Sequence, residues 1–262
     1  MASLPAHQTK HIPVLSHPFG SHTFSLTQLN NGVSNGTALW LGGQCLSMYL
    51  ADVHNKFKSK FQSPPRAIEL GSGIGLTALA LHSLDWDVVA TDLPGVVNSV
   101  LSSNIRNNPL PHVAGTIQIR TFDWTIPPDQ WSWNNDVAIA PAPPADATSG
   151  GDTLGPPFDL IFSADTVYSV SLIDPLLRTC HHLSTLSAAA SPSSRMPTVL
   201  LCIERRDPML VDRLLAEAKD KWNFNVERIP RKHVVRAVEK RQTAWDKSEW
   251  EDVEIWKLKL SI

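Results

Sequence analysis

The stretch Ala67-Ile68-Glu69-Leu70-Gly71-Ser72-Gly73-Ile74-Gly75 restricts the fold of this chain more than any other. Ala67 to Leu70 reads as a short buried strand and Gly75 to Leu84 as a helix. Glycines between them allow a tight turn whose backbone can approach a ligand without Cβ clashes. Asp87 to Thr91 then repeats the buried-strand pattern with Val88, Val89 and Ala90. Strand, turn, helix and strand in this order imply a parallel sheet with right-handed crossovers.

The alternation continues to the end of the chain. Pro94 sits at a favourable first-turn position of a helix reaching about Arg106. Thr116 to Phe122, Phe158 to Ala164 and Thr198 to Ile203 read as further strands, with helices at Leu172 to Leu183 and Pro208 to Lys221. Asn225 to Ile229 and Glu254 to Leu260 alternate in side-chain type, as antiparallel edge strands do. The expected fold is therefore α/β, a doubly wound seven-stranded, mostly parallel sheet of the Rossmann-like kind. Ahead of it, residues 1–36 mix short β-type runs (Ile12 to Leu15, Thr23 to Leu29) with Gly, Asn, Ser and Pro, an arm or hairpin. From Ala38 to about Val53 the spacing of Leu46, Tyr49, Leu50 and Val53 marks an amphipathic helix with Leu39 and Trp40 at its leading end. A domain at 37–262 is expected to carry surface insertions at about 134–157 and 184–197, whose Pro, Ala, Gly and Ser content has little to bury.

Composition narrows the function by exclusion. A net charge of -2 and 42% hydrophobic residues are ordinary for a soluble globular protein and give no bulk attraction to nucleic acid. No apolar run is long enough for a bilayer, and no signal peptide is visible. Cys45, Cys180 and Cys202 are widely spaced in apolar surroundings, which points to reduced core thiols rather than to disulfides or a metal site. The expected setting is cytoplasmic, with a nuclear one also open.

In a doubly wound sheet, ligands bind at the carboxyl ends of the strands. Gly71, Gly73 and Gly75 follow a Gly-x-Gly-x-Gly spacing; a dinucleotide fingerprint would place its third glycine at Leu76, and a phosphate loop would end in Gly-Lys-Ser/Thr. What remains is a cofactor with a cationic or zwitterionic portion near the turn, with Glu69 as its partner; a sulfonium bearing an amino acid fits. Asp92 stands where an acid meets ribose hydroxyls, an assignment that nicotinamide and sulfonium cofactors share. Asp123-Trp124 sets a carboxylate beside a ring, suited to an adenine. Each has a plainer reading: a simple turn, a helix cap at Asp92, a core indole at Trp124. Three successive strands ending in the residues a nucleoside needs favour the cofactor site.

Taken with Asn35-Gly36-Thr37-Ala38-Leu39-Trp40 and Ser163-Ala164-Asp165-Thr166-Val167-Tyr168, these motifs resemble the seven-β-strand protein-lysine methyltransferases of the methyltransferase-like 21 group, methyltransferase family 16. The resemblance runs from about Gly36 to Glu204. It implies that Trp40, Gly71, Ser72, Gly73, Asp92, Trp124 and Ala164 contact S-adenosylmethionine, while Asp165 and Tyr168 border the methyl-transfer centre. It further implies a monomer acting on a lysine of a protein, with neither nucleic acid nor membrane as partner; members of the group modify translation elongation factors, chaperones, ribosomal proteins and an AAA-type ATPase. The residues themselves leave Asp165 open to a second reading, an N-cap of the helix that follows. A small-molecule methyltransferase and a non-catalytic cofactor-binding module are the competing functions. The basic cluster from Arg228 to Arg241 reads as a solvated face, Glu204-Arg205-Arg206 as a segment able to reach the substrate side, and Trp245 and Trp250 as covers for a cofactor edge or a partner surface.

Overall fold

The computed structural model describes residues 3–29, 35–58, 60, 63–142, 152–241 and 245–261. A hairpin of β1 (Val14–Phe19) and β2 (His22–Thr27) leads into helix α1 (Leu41–Val53). The sheet then alternates as β3 (Arg66–Leu70), α2 (Leu76–His82), β4 (Asp87–Asp92), α3 (Pro94–Val96), α4 (Ser102–Asn107) and β5 (Ile117–Phe122). After β6 (Ala138–Ala140) come β7 (Leu160–Ala164), α5 (Ile173–Ala190), β8 (Thr198–Glu204), α6 (Pro208–Asp220), β9 (Phe224–Arg228), α7 (Arg231–Glu239) and β10 (Val253–Leu260).

The main sheet has eight strands in the order β6-β5-β4-β3-β7-β8-β10-β9, one more than the seven expected. The addition is β6, three residues that pair in parallel with β5 at Thr121–Ala138 and Phe122–Ala140. Its Ala138, Ile139 and Ala140 are buried, so a stretch expected to be a surface insertion from residue 134 onward supplies an edge strand instead. Residues 143–151 of that stretch lie outside the described residues. The other expected insertion, at 184–197, is helical as far as Ala190 because Leu183, Ser184, Ser187 and Ala188 all fall on the buried face of α5. All pairings from β6 to β8 are parallel, and β10 runs antiparallel between β8 and β9.

Helix layers cover both faces of this sheet, as a sheet buried on two sides requires. One apolar cluster joins α1, α2 and the hairpin residues Leu15, Phe19, Phe24 and Leu26 to one face; the other joins α5 and α6 to the opposite face. The hairpin is thus part of the core. Asn104 on α4, fully buried, fastens it by accepting from Thr27 N (2.8 Å) and donating to Thr27 O (2.8 Å) and Ile74 O (2.9 Å). Much of the basic cluster is spent within the chain: Arg241 and Lys240 reach Asp52 at 2.7 and 3.1 Å, and Arg231 donates to Val253 O at 2.9 Å and packs 4.5 Å over the Trp250 ring. Trp250 is 2% exposed and Trp245 donates to Ser3 O, so these two indoles belong to the packing of the C-terminal segment against the core and the arm.

The parallel strands fan out from β3, with β4, β5 and β6 to one side and β7 and β8 to the other. Strand order reverses at β3, and the carboxyl ends of β3, β4, β5 and β7 meet at that switch point. Ligands of open α/β sheets bind there.

Candidate active site

The turn after β3 is built by the end of β4. Gly71 N and Ser72 N both donate to Thr91 O (3.0 and 2.8 Å), Thr91 N donates to Ser72 Oγ (3.0 Å), and Thr91 Oγ1 donates to Glu69 O (2.6 Å). Gly71 sits at φ 77°, and a Cβ there would lie 2.5 Å from Thr166 Cγ2, so only glycine lets the turn pass this close to the β7 loop. Asp92, ending β4, accepts from Gly73 N and Leu93 N, one amide per oxygen at 2.8 Å. Each oxygen keeps a lone pair for a ligand hydroxyl.

A cavity of about 250 Å³ opens above these strand ends. Trp40, Gly71, Gly73, Asp92, Asp123, Trp124, Ala164, Asp165 and Tyr168 line it together, nine of the residues singled out from the sequence. Glu69 and Ser72 border a smaller adjoining cavity of about 40 Å³ that shares Trp40, Gly71, Gly73 and Ala164. Gly75 borders neither; at φ 88° it is the left-handed residue preceding α2. Leu93, Val96, Phe122, Thr166, Leu172 and Pro175 also line the cleft and were not foreseen, because in the sequence they carry only the apolar or helical spacing of core positions.

Asp165 does not cap the helix after it. At φ 52° its carboxylate turns toward α1 and β8, where Oδ2 accepts from Gly42 N (2.6 Å) and Oδ1 from Glu204 N (2.8 Å). The N-cap position of α1 is Trp40, which has no oxygen to offer, so a carboxylate 123 residues away satisfies the first turn. Gly42 permits this approach, since a Cβ there would fall 2.6 Å from Asp165 Oδ2. Tyr168 stands on the rim, 62% exposed. Asp123 spends Oδ1 on Thr125 N (2.9 Å) and Thr125 Oγ1 (2.7 Å), shaping the turn that carries Trp124. Arg178 of α5 secures the same turn by donating to Trp124 O (2.6 Å) and Thr125 O (3.1 Å), a role with no sequence signal beyond a cation in a helix.

Electrostatically the site is costly to its own acids. Burial pushes the Glu69 carboxyl up to about 8, with hydrogen bonds from Ser72 and Thr77 opposing. Burial also pushes Asp92 up to about 6, against the Gly73 and Leu93 amides. Asp165 is raised by burial too, with the Glu204 and Gly42 amides and the Arg206 charge opposing. Acids held above their ordinary range in a cleft mark a place arranged for a ligand.

A glycine turn clamped to the neighbouring strand, a carboxylate ending β4 and an indole-walled cleft at the switch point are the parts of a Rossmann-like, S-adenosylmethionine-dependent methyltransferase. The sequence comparisons agree. The profile of a family described as lysine methyltransferase matches residues 20–141. The protein N-lysine methyltransferase METTL21A of Mus musculus is 26% identical over 67% of this chain and 68% of its own length. The protein-lysine N-methyltransferase rrg1 of Schizosaccharomyces pombe is 40% identical over a shorter stretch, 24% of this chain and 22% of that protein. Among solved structures, a human methyltransferase 10 domain containing protein aligns over 91% of this chain and 89% of its own, with a TM-score of 0.48 and 10% identity. The chain is thus similar to lysine methyltransferases over about two thirds of its length.

Proposed function

We propose that this protein transfers a methyl group from S-adenosylmethionine to the side-chain nitrogen of a lysine in a protein substrate. The observation that carries the proposal is that Trp40, Asp165 and Tyr168 line the same cleft as Gly71, Asp92 and Trp124, so a cofactor half and an acceptor half share one opening.

The residues fit the cofactor. Glu69 Oε2 and Trp124 Nε1 are buried polar atoms without a hydrogen-bond partner among the described residues, an oxygen and an N–H donor beside the two cavities. Such atoms cost about 1–3 kcal/mol each until something pairs them. Asp92 would hold the ribose hydroxyls, Asp123 and Trp124 the adenine, and Glu69 with the glycine turn the amino-acid portion. When bound, the cofactor supplies an electrophilic methyl on a sulfonium.

The chain's own residues then prepare the acceptor. A lysine in water has a pKa near about 10.4 and lacks the free lone pair that displacement needs. Trp40 and Tyr168 offer ring walls that desolvate the amine and favour its neutral form. Asp165 attracts and orients the arriving nitrogen, and because both its oxygens already accept amides, its position is fixed before the substrate arrives. Alignment of this kind lowers a barrier by several kcal/mol through proximity.

Three buried thiols without disulfides suit a reducing, cytoplasmic setting, and no helix among the described residues is long and apolar enough to cross a membrane. The test is to incubate the protein with methyl-labelled cofactor and a hypomethylated lysate, then to find the label by mass spectrometry. Label on a lysine of a protein is the expected result; label in RNA or in small metabolites overturns the acceptor assignment.

A further inference from the structure

The N-terminal arm brings a cation against the ring of Trp40, one of the residues lining the cleft. Lys10, half-buried, lies 3.9 Å over the Trp40 ring and donates from Nζ to Leu39 O, while Arg206 stacks 4.6 Å over the same ring. This placement is built rather than incidental. Buried Gln28 donates to Thr9 O (2.5 Å) and Ile12 O (2.7 Å) on either side of Lys10, and its Oε1 accepts from Leu39 N (3.0 Å). One side chain therefore ties the arm to the segment that carries Trp40.

The charges around Lys10 are Arg206, Asp165 and Glu204. Arg206 is bonded to the Glu204 carboxylate and its charge also acts on Asp165, so one cation faces two carboxylates. The thiols of Cys45 and Cys202, which also lie near Asp165, are pushed up by burial and stay neutral; Arg231, beyond Cys45, is engaged with backbone carbonyls. Without Lys10 the acceptor side would carry a net negative charge, and a carboxylate holds a lysine in its charged, unreactive form.

We propose that Lys10 is a positioning residue for methyl transfer: by offsetting the Asp165 charge beside Trp40, it keeps the site from stabilising the acceptor lysine as an ammonium ion. The proposal rests on the lysine-methylating reading above. Burial, with the Arg206 charge adding to it, lowers Lys10 itself to about 8, so its cation is present through neutral pH and fades above that.

The experiment compares the full chain with Lys10→Met and Lys10→Arg, using as acceptor the protein that the wild type labels in the hypomethylated lysate. Turnover at saturating acceptor is followed against pH, because that profile reports groups in the bound complex. Lys10→Met is expected to move the acid limb upward by roughly one pH unit, with the curves converging above pH about 8, and Lys10→Arg to restore the wild-type limb. In the ligand-free proteins, carbon-13 NMR should show the Asp165 carboxyl titrating higher in Lys10→Met. A Lys10→Met profile lowered equally at every pH, or an unmoved Asp165 titration, overturns the proposal. A wild type that labels no lysine would sink the functional reading instead, and the Asp165 titration would still decide the charge balance.

Discussion

Asp165 serves the first turn of α1, and the proposed chemistry gives it a second task. Two amide hydrogen bonds hold its carboxylate, so Asp165→Ala removes a cap as well as a charge, and each bond to an ionised acceptor is worth about 1.5–3 kcal/mol. Asp165→Asn keeps one carbonyl acceptor but turns its NH2 toward the other amide, so it removes the charge together with one of the two hydrogen bonds. We expect Asp165→Asn to lower turnover by roughly a hundredfold while calorimetry shows cofactor affinity nearly unchanged; undiminished turnover would remove the charge from the mechanism. Asp92 yields a pH prediction. Its folded pKa of about 6 lies above the usual value, so ionising it within the ligand-free fold costs stability as pH rises toward 6. The ribose contact proposed for Asp92 draws on its ionised form. Cofactor affinity should therefore weaken as pH falls below about 6, and Asp92→Asn should bind poorly at every pH. Glu69, held up to about 8, is largely protonated at neutral pH until a cationic group arrives. Binding at pH 7 should release a proton, seen as a calorimetric enthalpy that varies with the buffer, and Glu69→Gln should abolish that variation.

Elements act on the site through their ends. Helix α1 begins at a tryptophan that cannot cap it, and Gly42 leaves the space in which Asp165 does so. Replacing a helical glycine by alanine ordinarily stabilises by about 0.5–1 kcal/mol. At Gly42 the new Cβ would collide with a carboxylate that Glu204 N also holds, and such overpacking costs about 1–3 kcal/mol. Gly42→Ala is thus expected to lower the melting temperature and the turnover together, whereas a stabilised protein would show that α1 can shift freely. The turn after β5 depends likewise on α5 through Arg178. Arg178→Met should weaken cofactor binding by roughly tenfold, with little effect on the pH profile of turnover.

At the scale of the whole molecule, the hairpin and the arm before it are joined to the catalytic face rather than appended to it. Phe24 and Leu26 are 1% and 0% exposed and share the cluster that packs on α1 and α2. Asn104 links β2 to Ile74, the residue after Gly73 in the glycine turn. Asn104→Ala would leave the Thr27 amide and two carbonyls unpaired, and we expect a loss of about 2–4 kcal/mol in urea unfolding. An unchanged midpoint would mean that the hairpin docks by its apolar side chains alone.

The alternation of strands and helices, the glycine turn and the acids ending β4 and β5 were legible in the sequence because they follow from local periodicity and from backbone conformations that few residues permit. The central strands β3, β4, β7 and β8 appeared as apolar runs, and all seven expected strands of the sheet fell within a residue or two of those observed. Short β6 was not, since three apolar residues in a Pro- and Ala-rich stretch carry no period and become a strand only through the free edge of β5. Helix α7 was hidden for a related reason: its charges dominate the sequence, and its three buried residues gain meaning only against α1. The sequence therefore determined the sheet and the glycine turn with its acids at the strand ends. Tertiary structure decided the surroundings of Trp40, where Asp165 turns to cap a distant helix and Lys10 comes to rest on the ring, because those contacts join residues whose proximity no local pattern encodes.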